Sequence, residues 1–197
     1  MRIFEAILLI AIVIWECLLA GSTTYRGGKL LAELSFGAHG LRIGVPLALL
    51  AANLLQNRGS MEFILRVGTC LTFAVHGLQA LYQSPVFTTM ILGTGYNFGI
   101  ELQQETVESL LLIIGVVDII VALLILGVRW QWLAIYMGFW GFITALARTT
   151  GGSFSSYPET LMRMVHAGGP CWLFLEWRRQ SKENKETQTI QLAQDRP

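Results

Sequence analysis

Three histidines and three arginines are the residues of this chain whose types and spacing suit chemistry, and four of them come in pairs. His39 and Arg42 are three residues apart, as are Arg163 and His166, so each pair can share a helix face and project into one site. His76 lies in the run RVGTCLTFAVHGLQALYQ, residues 66–83, where Thr69, Thr72, His76, Gln79 and Gln83 recur at steps of three and four. That spacing draws a polar stripe along one face of a helix. Arg148 closes a second series, Tyr136, Trp140, Thr144 and Arg148, at steps of four. Asp118 stands near the middle of an apolar run and shares a face with Glu108, Leu111, Gly115 and Ala122.

Three chemistries fit such a set. Imidazole with amide and arginine donors can hydrogen-bond the carbonyls of a quinone and pass a proton near neutral pH. Two histidines on separate helices can hold a haem through axial ligation, the less favoured option. Arginines gathered in one pocket can bind an anionic headgroup or a sulfur oxyanion through charge-assisted hydrogen bonds. The spacing does not choose among them. Arg148 and Arg163, near helix ends, also suit simple snorkelling to headgroups, and Asp118 suits either a hydrogen-bonded packing role or a proton site. There is no HExxH, P-loop or nucleophile elbow, and Cys17, Cys70 and Cys171 lie in apolar runs without a CxxC, so no metal site or disulfide framework is expected.

The elements that must position these residues are apolar helices. Of the 197 residues 53% are hydrophobic and 14% charged, and the mean hydropathy of +0.54 lies outside the soluble range. A polar stripe inside such a helix is costly unless it faces protein or a cavity, so the 66–83 helix belongs inside a bundle. A net charge of +1 with scattered basic residues gives no field for nucleic acid.

The pattern predicts an all-α polytopic bundle of about six transmembrane helices plus a re-entrant segment. The spans are 3–20, 39–56, 66–83, 109–127, 133–148 and 160–177, the last broken by Gly168-Gly169-Pro170. The first also resembles a secretory signal, but Glu5 and Glu16 favour its retention. A turn of interfacial helix is expected over residues 29–34, and a kink at Pro46. Residues 86–100, short and interrupted by Gly93, Gly95 and Gly99, form the re-entrant piece. The expected division is an N-terminal helical pair, 1–58, a four-helix core, 59–177, and a disordered cytoplasmic tail, 178–197. Arg2, Arg58, Arg66, Arg129, Arg178, Arg179, Lys182, Lys185 and Arg196 outweigh Arg26, Lys29, Arg42, Arg148 and Arg163, which puts both termini in the cytoplasm.

The segments RVGT…VHGLQ at 66–79, SPVF at 84–87 and ESLLLIIGVVDIIVALLILGVRW at 108–130 resemble the DoxX-like family of small bacterial membrane proteins. The likeness covers residues 62–177. Asp118 stands where that family more often has a glutamate, and the lysine that often follows the first-helix glycine is missing. The resemblance implies a four-helix core, the bacterial inner membrane, and a quinone-associated redox or accessory role. The expectation is therefore a membrane redox component with catalytic His76 and Asp118. His39, Arg42, Gln79, Arg148, Arg163 and His166 would bind the substrate. Membrane lipids, a lipid-soluble carrier and a larger membrane complex or homo-oligomer are the expected partners. A non-catalytic accessory subunit, or a small lipid or anion transporter, is the alternative.

Overall fold

The computed structural model describes residues 3–28 and 30–194, and within them every regular element is helical. Arg2, Lys29 and Arg196, used above to orient the chain, lie outside the described residues. Helix α1 spans Ile3–Arg26; a 3₁₀ turn at Ala32–Leu34 and the short α2, Ser35–Ala38, lead into α3, Gly40–Leu55. Then come α4, Arg58–Leu81; α5, Pro85–Asn97; α6, Gln104–Gly127; α7, Gln131–Thr150; α8, Tyr157–Arg163; and α9, Val165–Gln194.

Local chemistry explains the boundaries. Gln56 ends α3 in the left-handed conformation, and the Asn57 side chain then accepts from the Gly59 and Ser60 amides to start α4. Gln83 is left-handed too, and Pro85, with no amide to leave unpaired, opens α5.

The burial pattern is that of a protein in lipid. On α6, Val107, Leu111, Gly115, Asp118, Ala122 and Ile125 are buried at steps of three and four. Ile113, Val116, Ile120 and Leu123 are exposed. The charge faces inward and the aliphatic surface outward, as a hydrocarbon solvent requires. Among the described residues four segments are long and apolar enough to cross a membrane: Ile3–Arg26, Ala32–Leu55, Arg58–Leu81 and Gln104–Gly127. The described residues are thus all-helical, with helices that could cross a membrane.

The sequence led to six spans, and two of them do not reach that standard. α7 is diluted by Trp132, Tyr136, Trp140 and Arg148, and the last span is not one helix. The last span breaks at Met164, before the Gly168-Gly169-Pro170 sequence expected to break it, and α9 runs straight through Pro170. Proline disturbs the turn that precedes it, because its ring clashes with the carbonyl four residues back, here that of His166. α9 also continues to Gln194, where a disordered tail is expected. An established helix extends without a new nucleation cost. Arg179 pairs with Glu176 and with Glu183 across the next turns, and the Glu176 hydrogen bond raises the Arg179 pKa above its ordinary value.

Backbones approach closely where glycines meet. A Cβ on Gly77 would lie 3.0 Å from the Gly115 carbonyl oxygen, and one on Gly115 would lie 2.8 Å from that of Gly77. Gly40 and Gly68 bring α3 against α4 in the same way, at 2.8 and 2.9 Å. Such small-residue crossings are how helices associate without a hydrophobic driving force between them. α3 shares its core with the later helices: Leu41 and Ala48 cluster with Leu65, Phe73, Val121, Ile125, Met137, Leu173 and Trp177. A second cluster, Ala80, Val107 and Leu111, lies under Phe87, Ile91 and Leu102 and carries α5.

One end of the bundle is tied by a buried carboxylate. Glu62 Oε1 accepts from Arg129 Nε at 2.7 Å and from Trp177 Nε1 at 3.0 Å, while Oε2 accepts from Gln180 at 3.3 Å. Beside it, Arg66 Nε donates to the Ile125 carbonyl at 2.8 Å and Nη2 reaches that of Leu126, closing the exposed end of α6.

Candidate functional site

Five of the eight expected site residues line one cavity of about 350 Å³. α4 supplies Thr72, Phe73, His76 and Ala80; α6 supplies Leu111, Ile114 and Asp118; and α7 supplies Trp140, Gly141, Ile143, Thr144, Ala147 and Arg148. Arg163 comes from α8 and His166 from α9, while Phe87, Met90, Ile91, Thr94 and Gly95 of α5, with Phe98 just after it, close the side. Most of this wall is hydrocarbon. The polar groups form a small set within it, the usual make-up of a small-molecule site.

His76 and His166 are the centre of that set. Their ring centroids are 5.4 Å apart and tilted by 53°, and the Phe87 ring lies 6.0 Å from His76. The Arg148 guanidinium stands 6.0 Å from the Phe87 centroid, at the outer limit of a cation–π contact. Among the described residues, His166, 4% exposed, has no hydrogen-bond partner at Nε2, and Asp118, 5% exposed, has none at Oδ1. Buried polar atoms are almost always paired, so two unpaired ones in one cavity mark where a ligand or a proton is expected.

The position of His166 is fixed by its neighbours. A Cβ on Gly141 would collide with the His166 carbonyl, so only glycine lets α7 sit against this turn. Pro170 has no amide to take up that carbonyl, and the Ala167 and Gly168 amides turn back to the Met164 carbonyl at 3.0 and 2.9 Å. The break at Met164 thus places Arg163 and His166 on two different helices that both face the cavity.

Three expected residues lie elsewhere, each for a physical reason. His39 is the residue before α3 and does not belong to it, so the three-residue rule does not align it with Arg42. Its Nδ1 donates to the Ser35 carbonyl at 2.8 Å. Arg42 instead makes an ion pair with Glu16 of α1 at 2.8 Å, both side chains 10% exposed, and touches Met162 Sδ at 3.7 Å. Gln79 is rotated about 60° around α4 from His76, as three residues at about 100° each require. It donates to the Leu30 carbonyl at 3.4 Å. The stripe on α4 divides accordingly: the Thr72 hydroxyl accepts from the Leu41 amide at 2.8 Å, which satisfies the open start of α3.

Phe87 and Trp140 were legible as aromatics but not as cavity walls; proline-started α5 and the four-residue series on α7 were the signals available. A haem does not fit between His76 and His166. Axial ligation places the metal about 2 Å from each ring nitrogen with the macrocycle between the rings. These rings already pack on each other. Among the described residues no group of three or more His, Cys, Asp or Glu side chains is arranged to hold a metal ion.

Compared with protein-family models, with curated proteins and with solved structures, the chain finds no match in any of the three.

Proposed function

We propose that this chain binds a lipid-soluble molecule in the cavity between α4, α5, α6, α7 and the α8–α9 break, its apolar part against α5 and its polar oxygens toward His76 and His166. The observation that carries the reading is the pair of buried atoms unpartnered among the described residues, His166 Nε2 and Asp118 Oδ1, in a mostly hydrocarbon-walled space. The quinone-associated redox role, with His76 and Asp118 as proton partners, is one form of it. A carrier or accessory subunit that holds a lipid within a larger membrane complex or homo-oligomer is the other.

The topology that goes with this proposal has six spans, α1, α3, α4, α6, α7 and α8–α9, with α5 re-entrant. Both termini are cytoplasmic, and the protein belongs to a bacterial inner membrane as a distant DoxX-like protein. Support comes from the gathering of Arg58, Arg66, Arg129 and Arg179 at the Glu62 and Glu176 end of the bundle.

Purification in mild detergent, followed by mass spectrometry of the extracted lipids and by oxidised and reduced absorption spectra, tests the reading. One quinone per chain, lost in His166→Gln, is the result expected of the redox form. Another stoichiometric lipid with a featureless spectrum supports the carrier form. Only bulk phospholipid, unchanged in His166→Gln, refutes the proposal.

A further inference from the structure

We infer that the Arg148 and Arg163 end of this cavity is an oxyanion site, so that the molecule it takes carries a carboxylate, phosphate or sulfonate head. The inference rests on the amphiphile reading above and narrows its ligand. Both guanidiniums line the cavity, both are half-buried, and neither forms an ion pair among the described residues. Arg42, close enough to act on Arg163, is already taken by Glu16. Glu159, the acid whose field reaches both, is exposed and outside ion-pair distance.

Two like charges facing a hydrocarbon-walled space repel each other and have lost part of their hydration. An anion between them relieves both costs, and the planar guanidinium fork matches a two-oxygen acceptor. The histidine pair supplies the independent observation. His166 Nε2, buried and unpartnered, opens on the same cavity, one helix break from Arg163, and can donate a further hydrogen bond to the head. A neutral quinone would use these donors but would leave the two charges uncompensated. The whole cavity, about 350 Å³, holds roughly a dozen groups of about 30 Å³ each, the head included.

The test is equilibrium binding to the full chain in nanodiscs of neutral lipid, with dodecyl phosphate, dodecanol and inorganic phosphate as probes. Dodecyl phosphate is expected to bind at least about tenfold more tightly than dodecanol. Arg148→Gln and Arg163→Gln should each remove most of that preference, and helical circular dichroism equal to that of the unaltered chain shows that the variants are folded. Arg163→Lys should keep part of it.

Equal affinity for dodecyl phosphate and dodecanol overturns the oxyanion inference and leaves the amphiphile reading standing. No binding of either chain-bearing probe overturns the amphiphile reading itself. Inorganic phosphate binding as tightly as dodecyl phosphate supports the anion site and assigns it to a free oxyanion, against the lipid source.

Discussion

Replacing Gly115 by alanine tests whether backbone contact between α4 and α6 sets the cavity's geometry. The added Cβ would meet the Gly77 carbonyl oxygen at 2.8 Å, the Leu81 amide nitrogen at 2.8 Å and Leu81 Cγ at 2.7 Å. Two of these atoms are backbone and cannot rotate away, so α4 and α6 must part until 2.8 Å approaches the 3.4 Å of ordinary contact. Gly77 adjoins His76, and Gly115 lies one turn from Asp118, so the separation falls on the cavity. Overpacking of this kind costs about 1–3 kcal/mol, against a gain of up to about 1 kcal/mol for alanine over glycine in a helix. Gly127, at the end of the same helix, has nothing within 4 Å of its would-be Cβ and serves as the control. Gly127→Ala should be neutral or mildly stabilising. Gly115→Ala should unfold roughly 4–8 °C lower than the control, taking a net difference of about 2 kcal/mol for a chain of this size, and should bind dodecyl phosphate more weakly. Thermal unfolding in detergent and the nanodisc binding assay read the two effects. If Gly115→Ala matches Gly127→Ala in both, helix spacing here is not set by the glycine crossing and the argument fails.

Three other outcomes follow from the same geometry. Glu62→Gln keeps the shape but removes the charge that Arg129, Trp177 and Gln180 share, at a cost of roughly 1.5–3 kcal/mol for hydrogen bonds to a charged group; unchanged thermal stability and Trp177 emission would contradict it. Gly141→Ala pushes the His166 carbonyl away and should weaken probe binding more than it lowers stability, and a fall in stability alone would detach Gly141 from the site. Deleting residues 184–197 removes the exposed helical extension at 184–192, so helical circular dichroism should drop while the melting temperature holds; a lowered melting temperature would mean that this segment packs on the bundle.

Residue type and period carried much of this arrangement, and failed where it turns on a helix ending. Of the α6 face drawn from spacing, Leu111, Gly115, Asp118 and Ala122 are buried while Glu108 is partly exposed. His76 and Arg148, late in α4 and α7, meet Arg163 and His166 on either side of the α8–α9 break at one cavity. His39 and Arg42 part company because the chain changes helix between them, which no three-residue count can reveal. The partner that claims Arg42, Glu16, lies 26 residues away on α1 and looks interfacial in isolation. Proline's effect on the turn before it moved the break from Gly168-Gly169-Pro170 to Met164. The Glu62 node was missed because its partners lie 67, 115 and 118 residues along the chain, beyond any local pattern.

That node also sets an order of events during synthesis. Glu62 leaves the ribosome 115 residues ahead of Trp177, an interval of about 6–23 s at the usual range of elongation rates. Throughout it the first helices are present while the buried carboxylate lacks two of the donors that make burial tolerable. This end of the bundle therefore cannot dry out until α9 has been made. A nascent or truncated chain that stops short of it carries an exposed acidic mark of incompleteness, which the finished protein conceals.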